Sequence, residues 1–370
     1  MPYRKIIHAI ACVGMGLMGW ATPAAALETS AGEVKIDRIM RGLNEPWSLG
    51  FLPDGGFLVT ERGGRLTHVK DGVAQSVKGL PKIRHIGQGG LMDILVPRDF
   101  AKSRRLFLTI AGPVGNASGT AIVRATLSKD GGTLNNPTTI FAMLPASEAA
   151  EHFGGRLVEG PNGHLFLTIG DRGVREQAQE LGTHAGSIIR INPDGSIPAG
   201  NPFQGRSDAL PEIWSFGHRN PQGAAFDASG QLWVHEHGAR GGDEVNKIRK
   251  GANYGWPVIA YGRNYSGTKI GIGTHKDGME QPVKYWDPSI APSGFMIYSG
   301  ALWPEWKGRF FIGSLKFDYI AILDPRKNMA EEPLQSRETG RVRDIREAPD
   351  GSIWFLSVDE GAVYRISPAN

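Results

Sequence analysis

The chain has 370 residues, of which 51 are Gly and 24 are Pro, and 21% are charged. This much Gly and Pro beside an ordinary apolar content is typical of many short strands joined by turns, in one large all-β domain or two smaller ones. The formal net charge is only +4, and no run of Lys and Arg alternates with aromatic residues, so we expect no nucleic-acid partner.

The N-terminal segment “MPYRKIIHAIACVGMGLMGWATPAAALE” has the pattern of a signal peptide. Basic residues precede an apolar run, and small residues then fit an A-x-A cleavage site after Ala26. The run is broken by several Gly and falls short of the ~20 residues that a membrane span needs. Cys12 is the only cysteine, and a lipoprotein anchor there is a less favoured alternative. We therefore expect residues 1–26 to be removed and residues 27–370 to form one exported domain, periplasmic or secreted, without a membrane span.

A similar pattern recurs six times along the chain: a short strand, a turn with Pro, Asp or Gly, and a second strand. The copies begin at Pro46, Gly89, Gly154, Asn220, Ser293 and Arg341. Turn pairs such as Asp54-Gly55 and Asp350-Gly351 suit tight hairpins. Because a four-stranded blade cannot bury both faces alone, the repeat predicts an all-β, six-bladed β-propeller with four-stranded antiparallel blades. We expect the early strand “GEVKIDRIM” to close the ring beside the last blade; a pair of β-sandwiches would not explain six copies.

The second and third blades carry the first candidates for chemistry. Gln88 precedes “GGLMDILV”, and in “EHFGGRLVEGPNGHLFLTIGDRG” His152 stands directly before the inner strand of a blade. Asp171 follows that strand on a turn, so a carboxylate can come near the imidazole. A carboxylate on one ring nitrogen fixes the tautomer and raises the basicity of the other nitrogen. The pattern predicts a general base, although such a pair also occurs as a purely structural hydrogen bond.

The fourth blade begins with “SFGHRNPQGAAFD”, which places Arg219 and Asn220 at its head. The segment “HEHGARGGDEVNKIRKGANYGWP” then sets Asp243 and Glu244 in a loop whose glycines, Gly238 among them, free main-chain carbonyls to turn inward. Carboxylate and carbonyl oxygens are ligands that suit Ca²⁺. The two histidines of this segment, at i and i+2 with no Cys nearby, do not favour zinc.

The last two blades add cations. Lys316 ends the strand “RFFIGSLK”, and Arg341 and Arg343 stand at i and i+2 of a strand, on one face. Cations from separate blades at one mouth of the channel repel one another unless an anionic ligand binds between them. Two or three carboxylates on a flat cofactor would satisfy these cations.

Seven motifs in this order resemble the soluble aldose sugar dehydrogenases that depend on pyrroloquinoline quinone (PQQ), a six-bladed propeller family. They are “GQGGL”, “EHFGGRL…TIGDRG”, “GHRNPQG”, “GDE…NYGWP”, “PSG”, “SLK” and “RVRD”, and the resemblance spans Pro46 to Tyr364. It implies a calcium-containing quinoprotein that oxidises the C1 hydroxyl of aldoses to lactones by hydride transfer to PQQ and passes electrons to an external acceptor.

The resemblance also assigns roles. It makes His152 the base, Asp171 the carboxylate that orients it, and Arg219 the residue that polarises the quinone oxygen. Its cofactor-binding positions are Gln88, His152, Arg219, Asn220, Lys316, Arg341 and Arg343. The carbonyls of Gly238 and Ala239 match ligands of the cofactor's calcium, and Glu244 and Tyr254 match ligands of a further structural calcium.

Two departures concern specificity and the metal. Ala239 stands where the family often has Pro, which leaves a carbonyl ligand in place, and Glu151 precedes the base where strong glucose oxidisers carry Asp. The loops around the channel are short, which favours many aldoses, or a substrate other than a free sugar, over a glucose-specific pocket.

Two other functions remain open at this point: a cofactor-free propeller that binds a sugar or a protein, and a Ca²⁺-dependent hydrolase of the lactonase type. The cations Lys316, Arg341 and Arg343 separate them, because neither alternative needs all three together. A monomer or a homodimer is expected.

Overall fold

A computed structural model describes residues 26–369. The predicted signal peptide, apart from Ala26, and Cys12 lie outside the described residues. Within them no helix has both the length and the apolar character needed to cross a membrane.

The strands form six sheets arranged as blades. Two strands precede the first blade, β1 (Leu27–Thr29) and β2 (Gly32–Arg41). Blade 1 holds β3 (Pro46–Phe51), β4 (Phe57–Glu61), β5 (Arg65–Lys70) and β6 (Val73–Ser76); blade 2 holds β7 (Leu91–Leu95), β8 (Arg105–Val114), β9 (Ala117–Leu127) and β10 (Leu134–Ala142). Blade 3 holds β11 (Leu157–Glu159), β12 (Leu165–Thr168), β13 (Ser187–Ile191) and β14 (Ile213–Phe216); blade 4 holds β15 (Pro221–Phe226), β16 (Leu232–Glu236), β17 (Asp243–Lys247) and β18 (Lys284–Trp286). Blade 5 holds β19 (Pro292–Ile297), β20 (Phe310–Ser314), β21 (Ile320–Asp324) and β22 (Ala330–Leu334), and blade 6 holds β23 (Val342–Glu347), β24 (Ile353–Ser357) and β25 (Ala362–Pro368).

Helical structure in the described residues is limited to short turns. One α-helical turn, α1, spans Phe100–Ser103, and 3₁₀ turns span Arg175–Gln179, Pro304–Trp306, Pro325–Lys327 and Arg337–Thr339. The prediction of a six-bladed, all-β propeller is confirmed, and each copy of the repeated pattern contains the inner strand of one blade.

The ring is closed where the prediction placed the closure. The last sheet has the order β1-β2-β25-β24-β23, so the early strand β2 completes blade 6. β2 pairs antiparallel with β25, with Lys35 opposite Ser367 and Ile36 opposite Ile366. Residues from both ends of the described chain therefore share one sheet, and the circle of blades is held by main-chain hydrogen bonds.

Blade interiors are apolar on both faces because each blade is covered by its neighbours. Every residue of β20 and β21 is buried. Phe311 of blade 5, Phe355 of blade 6 and Val34 of β2 belong to one continuous hydrophobic cluster. The burial that stabilises the fold thus lies between blades as much as within them.

A charged cluster ties three blades together across the channel. Arg156 Nη1 lies 3.0 Å from Asp93 Oδ1 and 3.0 Å from Asp344 Oδ1. Arg346 lies 2.9 Å from an oxygen of each of the same two carboxylates. Two cations and two anions offset one another's desolvation cost. The Arg156 guanidinium also lies 4.5 Å from the ring centroid of Trp47, so the cluster fixes the tryptophan that forms part of the site above it.

Candidate active site

Residues at and before the starts of the inner strands, with residues that follow the second strands of blades 4 and 5, enclose a cavity of about 460 Å³ at one mouth of the channel. Every blade contributes to its wall. Five predicted cofactor residues line it: Gln88, Asn220, Lys316, Arg341 and Arg343. Trp47 and Phe153 supply aromatic surface to the same wall. The fold therefore brings together residues that are up to 296 positions apart in sequence, from Trp47 to Arg343.

His152 and Asp171 form a hydrogen-bonded pair beside this cavity. His152 Nδ1 lies 2.6 Å from Asp171 Oδ1, which also accepts from the Gly173 N–H at 2.8 Å. The His152 N–H donates to Gln88 Oε1 at 2.9 Å, which ties the pair to the cavity wall. Burial raises the pKa of Asp171, but the His152 hydrogen bond and charge, the Gly173 N–H and the Arg219 charge outweigh it, and the pKa is lowered overall. The ionised carboxylate holds the proton on Nδ1 and leaves Nε2 as the basic nitrogen.

Asp171 reaches this position by a different route from the one the sequence suggested. It follows the second strand of blade 3, β12, rather than the inner strand β11. The two strands are antiparallel, with Leu157 opposite Leu167, so the chain runs out along β11 and returns along β12. The return brings Asp171 back to the head of β11, beside His152.

Arg172 is a site residue that the sequence interpretation missed. Its guanidinium donates to the main-chain carbonyls of Ala149 and Glu151, and it lies 3.4 Å from the ring centroid of Phe153. It is fully buried, and burial lowers its pKa to about 10, which leaves it charged at neutral pH. Arg172 thus holds the loop that carries His152. Nothing in its spacing distinguishes it from an ordinary surface arginine.

Arg219 and Trp256 lie on the other side of Asp171. The Asp171 N–H donates to the Arg219 carbonyl at 2.8 Å, and Trp256 Nε1 donates to Asp171 Oδ2 at 2.7 Å. The Arg219 guanidinium lies 5.3 Å from the Trp256 ring centroid and donates through Nη1 to the Gly238 carbonyl. Its buried Nε has no hydrogen-bond partner among the described residues. The sequence interpretation also missed Trp256, because 85 positions separate it from Asp171.

The cations in the large cavity are not matched by acids. Among residues 26–369, Lys316, Arg341 and Arg343 form no ion pair. Arg343 Nη1 donates to Gln222 Oε1 at 3.0 Å instead. Burial, followed by the charges of neighbouring arginines, lowers the pKa of Arg343 to about 9. The cavity therefore favours an anionic ligand.

Two details of the cation set differ from the prediction. Arg341 does not share an extended strand face with Arg343: it precedes β23, and its φ is 43°. Its N–H donates to Asp318 Oδ1 at 2.8 Å and its Nη1 to the Leu315 carbonyl at 2.9 Å, which together hold this turn. Lys316 lies two residues beyond the end of its strand. All three cations still line the same cavity.

A second, small cavity of about 20 Å³ lies in blade 4. The four predicted calcium residues, Gly238, Ala239, Glu244 and Tyr254, all line it. This volume suffices for one water-sized sphere, since about 10–15 Å³ is the minimum. Burial, with the charges of Glu236 and Asp243, raises the pKa of Glu244 to about 8. No group of three or more His, Cys, Asp or Glu side chains in the described range is placed to hold a metal, so any ion here needs main-chain oxygens.

The side chain of Tyr254 is already engaged. Its hydroxyl donates to the Lys247 carbonyl at 2.7 Å and accepts from the Arg249 N–H at 2.8 Å. Its ring stacks on His218 with 4.6 Å between centroids. Of this residue's oxygens, the main-chain carbonyl is therefore the one that could bind a cation.

Comparison with known proteins gives a consistent result. A profile of the glucose/sorbosone dehydrogenase family matches residues 43–365. The chain is 39% identical over 379 residues to aldose sugar dehydrogenase YliI of Escherichia coli (strain K12), with 100% of both chains covered.

Solved structures agree. The apo form of the soluble aldose sugar dehydrogenase from Escherichia coli superposes with a TM-score of 0.85 at 39% identity, covering 90% of this chain and 99% of that one. The PQQ-bound form of aldose sugar dehydrogenase from Streptomyces coelicolor superposes with a TM-score of 0.74 at 26% identity, covering 93% of this chain and 100% of that one. The similarity thus extends over almost the whole described propeller.

Proposed function

The chain belongs to the glucose/sorbosone dehydrogenase family, and from that premise we propose that it oxidises the C1 hydroxyl of aldose sugars to lactones with bound PQQ as the oxidant. The family establishes an oxidoreductase of the sugar dehydrogenase type. The substrate class, the cofactor and the residue roles are our proposal. The observation that carries it is the oriented His152–Asp171 pair beside a cavity lined by three cations without acidic partners.

The large cavity suits PQQ, a flat quinone with three carboxylates. Lys316, Arg341 and Arg343 supply the positive charge, and burial beside other arginines lowers the pKa of Arg343. Charge-assisted hydrogen bonds of this kind contribute about 1.5–3 kcal/mol each. Trp47 offers a flat apolar surface, and Gln88 and Asn220 offer amide groups in the same wall. These residues would hold the cofactor.

His152 is the proposed general base. Its Nε2 accepts the proton of the C1 hydroxyl, while Asp171 keeps the proton on Nδ1 and stabilises the imidazolium that results. Loss of the hydroxyl proton makes C1 a better hydride donor. PQQ, when bound, supplies the two-electron acceptor, at its C5 carbon. The Arg219 guanidinium, which lies over the Trp256 ring, would stabilise negative charge on the acceptor's oxygen, and Asn220 would hold the cofactor through its amide.

Calcium is proposed at blade 4. The carbonyls of Gly238 and Ala239 would bind one calcium ion beside the cofactor, and Glu244 with the Tyr254 carbonyl would hold a second, structural ion. The cavity has room for one water-sized sphere, so it would have to widen to hold both ions. The Glu244 carboxyl and main-chain carbonyls supply hard oxygen donors, and the charges of Glu236 and Asp243 beside them favour a cation. In the absence of a metal ion, the Arg219 guanidinium donates a hydrogen bond to the Gly238 carbonyl oxygen. A bound metal ion would have to share that oxygen or displace the guanidinium from it.

The cellular setting is part of the proposal. The signal peptide predicted from the sequence would send the enzyme to the periplasm or the medium, where free aldoses are accessible. Electrons would leave the reduced cofactor to an external acceptor. We propose a monomer or a homodimer.

Reconstitution tests the proposal directly. Purified apoprotein with PQQ and Ca²⁺ should reduce an artificial dye when any of several aldoses is added, and the lactone should accumulate. Arg343→Ala should weaken PQQ binding about tenfold or more in calorimetry, while Arg337→Ala, at a 92% exposed side chain, should not. Dye reduction without PQQ, or none with any aldose although PQQ binds, would contradict the proposed function.

A further inference from the structure

Trp256 contacts both Asp171 and Arg219, two of the residues to which we assign the chemistry. It is 6% exposed and belongs to the loop that follows β17. Its indole Nε1–H donates to Asp171 Oδ2 at 2.7 Å, and this bond is buried. Its own carbonyl accepts from Gln179 Nε2 at 2.7 Å, and its N–H donates to the Gly217 carbonyl at 2.9 Å. Hydrogen bonds of both its main chain and its side chain thus hold Trp256 in place.

The carboxylate of Asp171 divides its hydrogen bonds between its two oxygens. Oδ1 serves His152 Nδ1 and the Gly173 N–H, whereas Oδ2 has Trp256 as its partner among the described residues. Without the indole N–H, a nearly fully buried oxygen would lose its hydrogen bond, and the carboxylate would be free to rotate away from His152. Leaving a buried charged acceptor unpaired is costly, so this bond resists both changes.

The indole ring also contacts two guanidiniums. Arg219 lies 5.3 Å and Arg175 5.4 Å from its ring centroid, distances typical of cation–π contacts. One side chain therefore positions both the carboxylate behind the base and the arginine assigned to the quinone oxygen.

We propose that Trp256 is a positioning residue that holds Asp171 and Arg219 in the arrangement hydride transfer requires. The inference rests on the proposed function, because it assumes that His152 and Arg219 act on the substrate and the cofactor. It makes His152, Asp171 and Trp256 a linked triad in which the indole acts through the carboxylate.

The first test uses the variant Trp256→Phe, which keeps an aromatic ring but removes the N–H donor. We expect kcat to fall about 10- to 100-fold, the range for a hydrogen bond to a charged group, with KM and PQQ affinity changed much less. Trp233→Phe is the matched control: Trp233 is 9% exposed and its Nε1 donates to Asp227 Oδ2 at 2.8 Å, away from the site. It should lose similar stability and keep the wild-type kcat.

A double-mutant cycle tests whether Trp256 acts through Asp171. Because the two groups share one bond, Trp256→Phe combined with Asp171→Asn should be no slower than Asp171→Asn alone. Multiplicative losses, or a wild-type kcat in Trp256→Phe, would overturn the inference.

The bond itself can be measured without cofactor. In ¹⁵N-tryptophan-labelled apoprotein, the indole N–H signal that disappears in Trp256→Phe should be the one that shifts most in Asp171→Asn. A signal that stays in place would also overturn the inference. The two proposals fail differently: a wild-type rate in His152→Ala rejects the proposed base, whereas a slow His152→Ala beside a normal Trp256→Phe rejects only the role of Trp256.

Discussion

At His152, the proposed base, the backbone conformation is as unusual as the side-chain contacts. His152 has a φ of 52°, in the left-handed region that non-glycine residues rarely adopt. The main chain beside it leaves no space, because a Cβ on Gly170 would lie 2.2 Å from the His152 carbonyl oxygen. Arg172 holds the same loop through the carbonyls of Ala149 and Glu151. The loop is therefore fixed in a strained conformation by its neighbours.

We accordingly predict that Gly170→Ala displaces His152. The added methyl group should lower kcat at least tenfold and destabilise the fold by about 1–3 kcal/mol, the usual cost of overpacking. Gly182→Ala is the control, since nothing lies within 4 Å of a Cβ there and its φ is not in the left-handed region. Steady-state kinetics and urea denaturation of both variants check this. Equal kcat values and equal unfolding free energies for Gly170→Ala and Gly182→Ala would contradict this prediction.

At the level of elements, the turn residues and the inner strands could be predicted from sequence. Hairpin glycines such as Gly55 and Gly351 have φ of 85° and 80°, as the Asp-Gly pairs implied. The conformation of Arg341 could not be predicted, because it depends on a hydrogen bond from its N–H to Asp318, a residue 23 positions earlier in the sequence. The roles of Trp256 and Arg172 could not be predicted for a related reason. Their contact partners depend on how blades and loops pack, and no spacing in the sequence indicates that packing.

His235 in β16 should make stability depend on pH. It is fully buried, neither ring nitrogen has a hydrogen-bond partner among the described residues, and burial lowers its pKa to about 3. A histidine with a lowered pKa contributes its full stability above the unfolded value, about 6.5, and loses it as the pH falls towards the folded value. Unfolding free energy should therefore drop between pH 6.5 and 3, by at most ~1.4 kcal/mol per pH unit from this residue.

The variant His235→Leu isolates that contribution. Its unfolding free energy, from urea denaturation at each pH, should fall less steeply than that of the wild type between pH 6.5 and 4. His275→Leu, at an exposed position, should keep the wild-type slope. Equal slopes of unfolding free energy against pH for the wild type and His235→Leu would contradict this prediction. They would mean that His235 takes up its proton equally in the folded and unfolded states.

For the whole molecule, blade 4 should link metal binding to stability. A ligand that binds only the folded state adds about 2.7 kcal/mol at a hundredfold excess over Kd. Chelation should therefore lower the Tm of the wild type together with its activity. Glu244→Gln, which keeps the shape of the side chain but removes the charge, should show little calcium-dependent change in Tm. Glu305→Gln, at an exposed glutamate, should respond as the wild type does; a wild-type Tm indifferent to chelator would contradict the proposed site.

The six blades were predictable because a repeated pattern in the sequence encodes them, and the closing strand β2 (Gly32–Arg41) because a strand pattern precedes the first copy. The grouping of the predicted calcium residues on one small cavity was not, since it depends on how the loop after β16 folds back on the loop after β17. The sequence thus singled out residues that line the two cavities, but not how the two cavities divide them.

The role of His152 is tested most directly by single-turnover reduction of bound PQQ, followed by absorbance after an aldose is added to PQQ-loaded enzyme. A positioned base contributes about 10²–10⁴-fold, so His152→Ala should bind PQQ with nearly wild-type affinity and reduce it slower by that factor. Asp171→Asn should show a smaller loss, because the imidazole remains. Reduction at the wild-type rate in His152→Ala would contradict the proposed mechanism and make the His152–Asp171 pair a structural hydrogen bond.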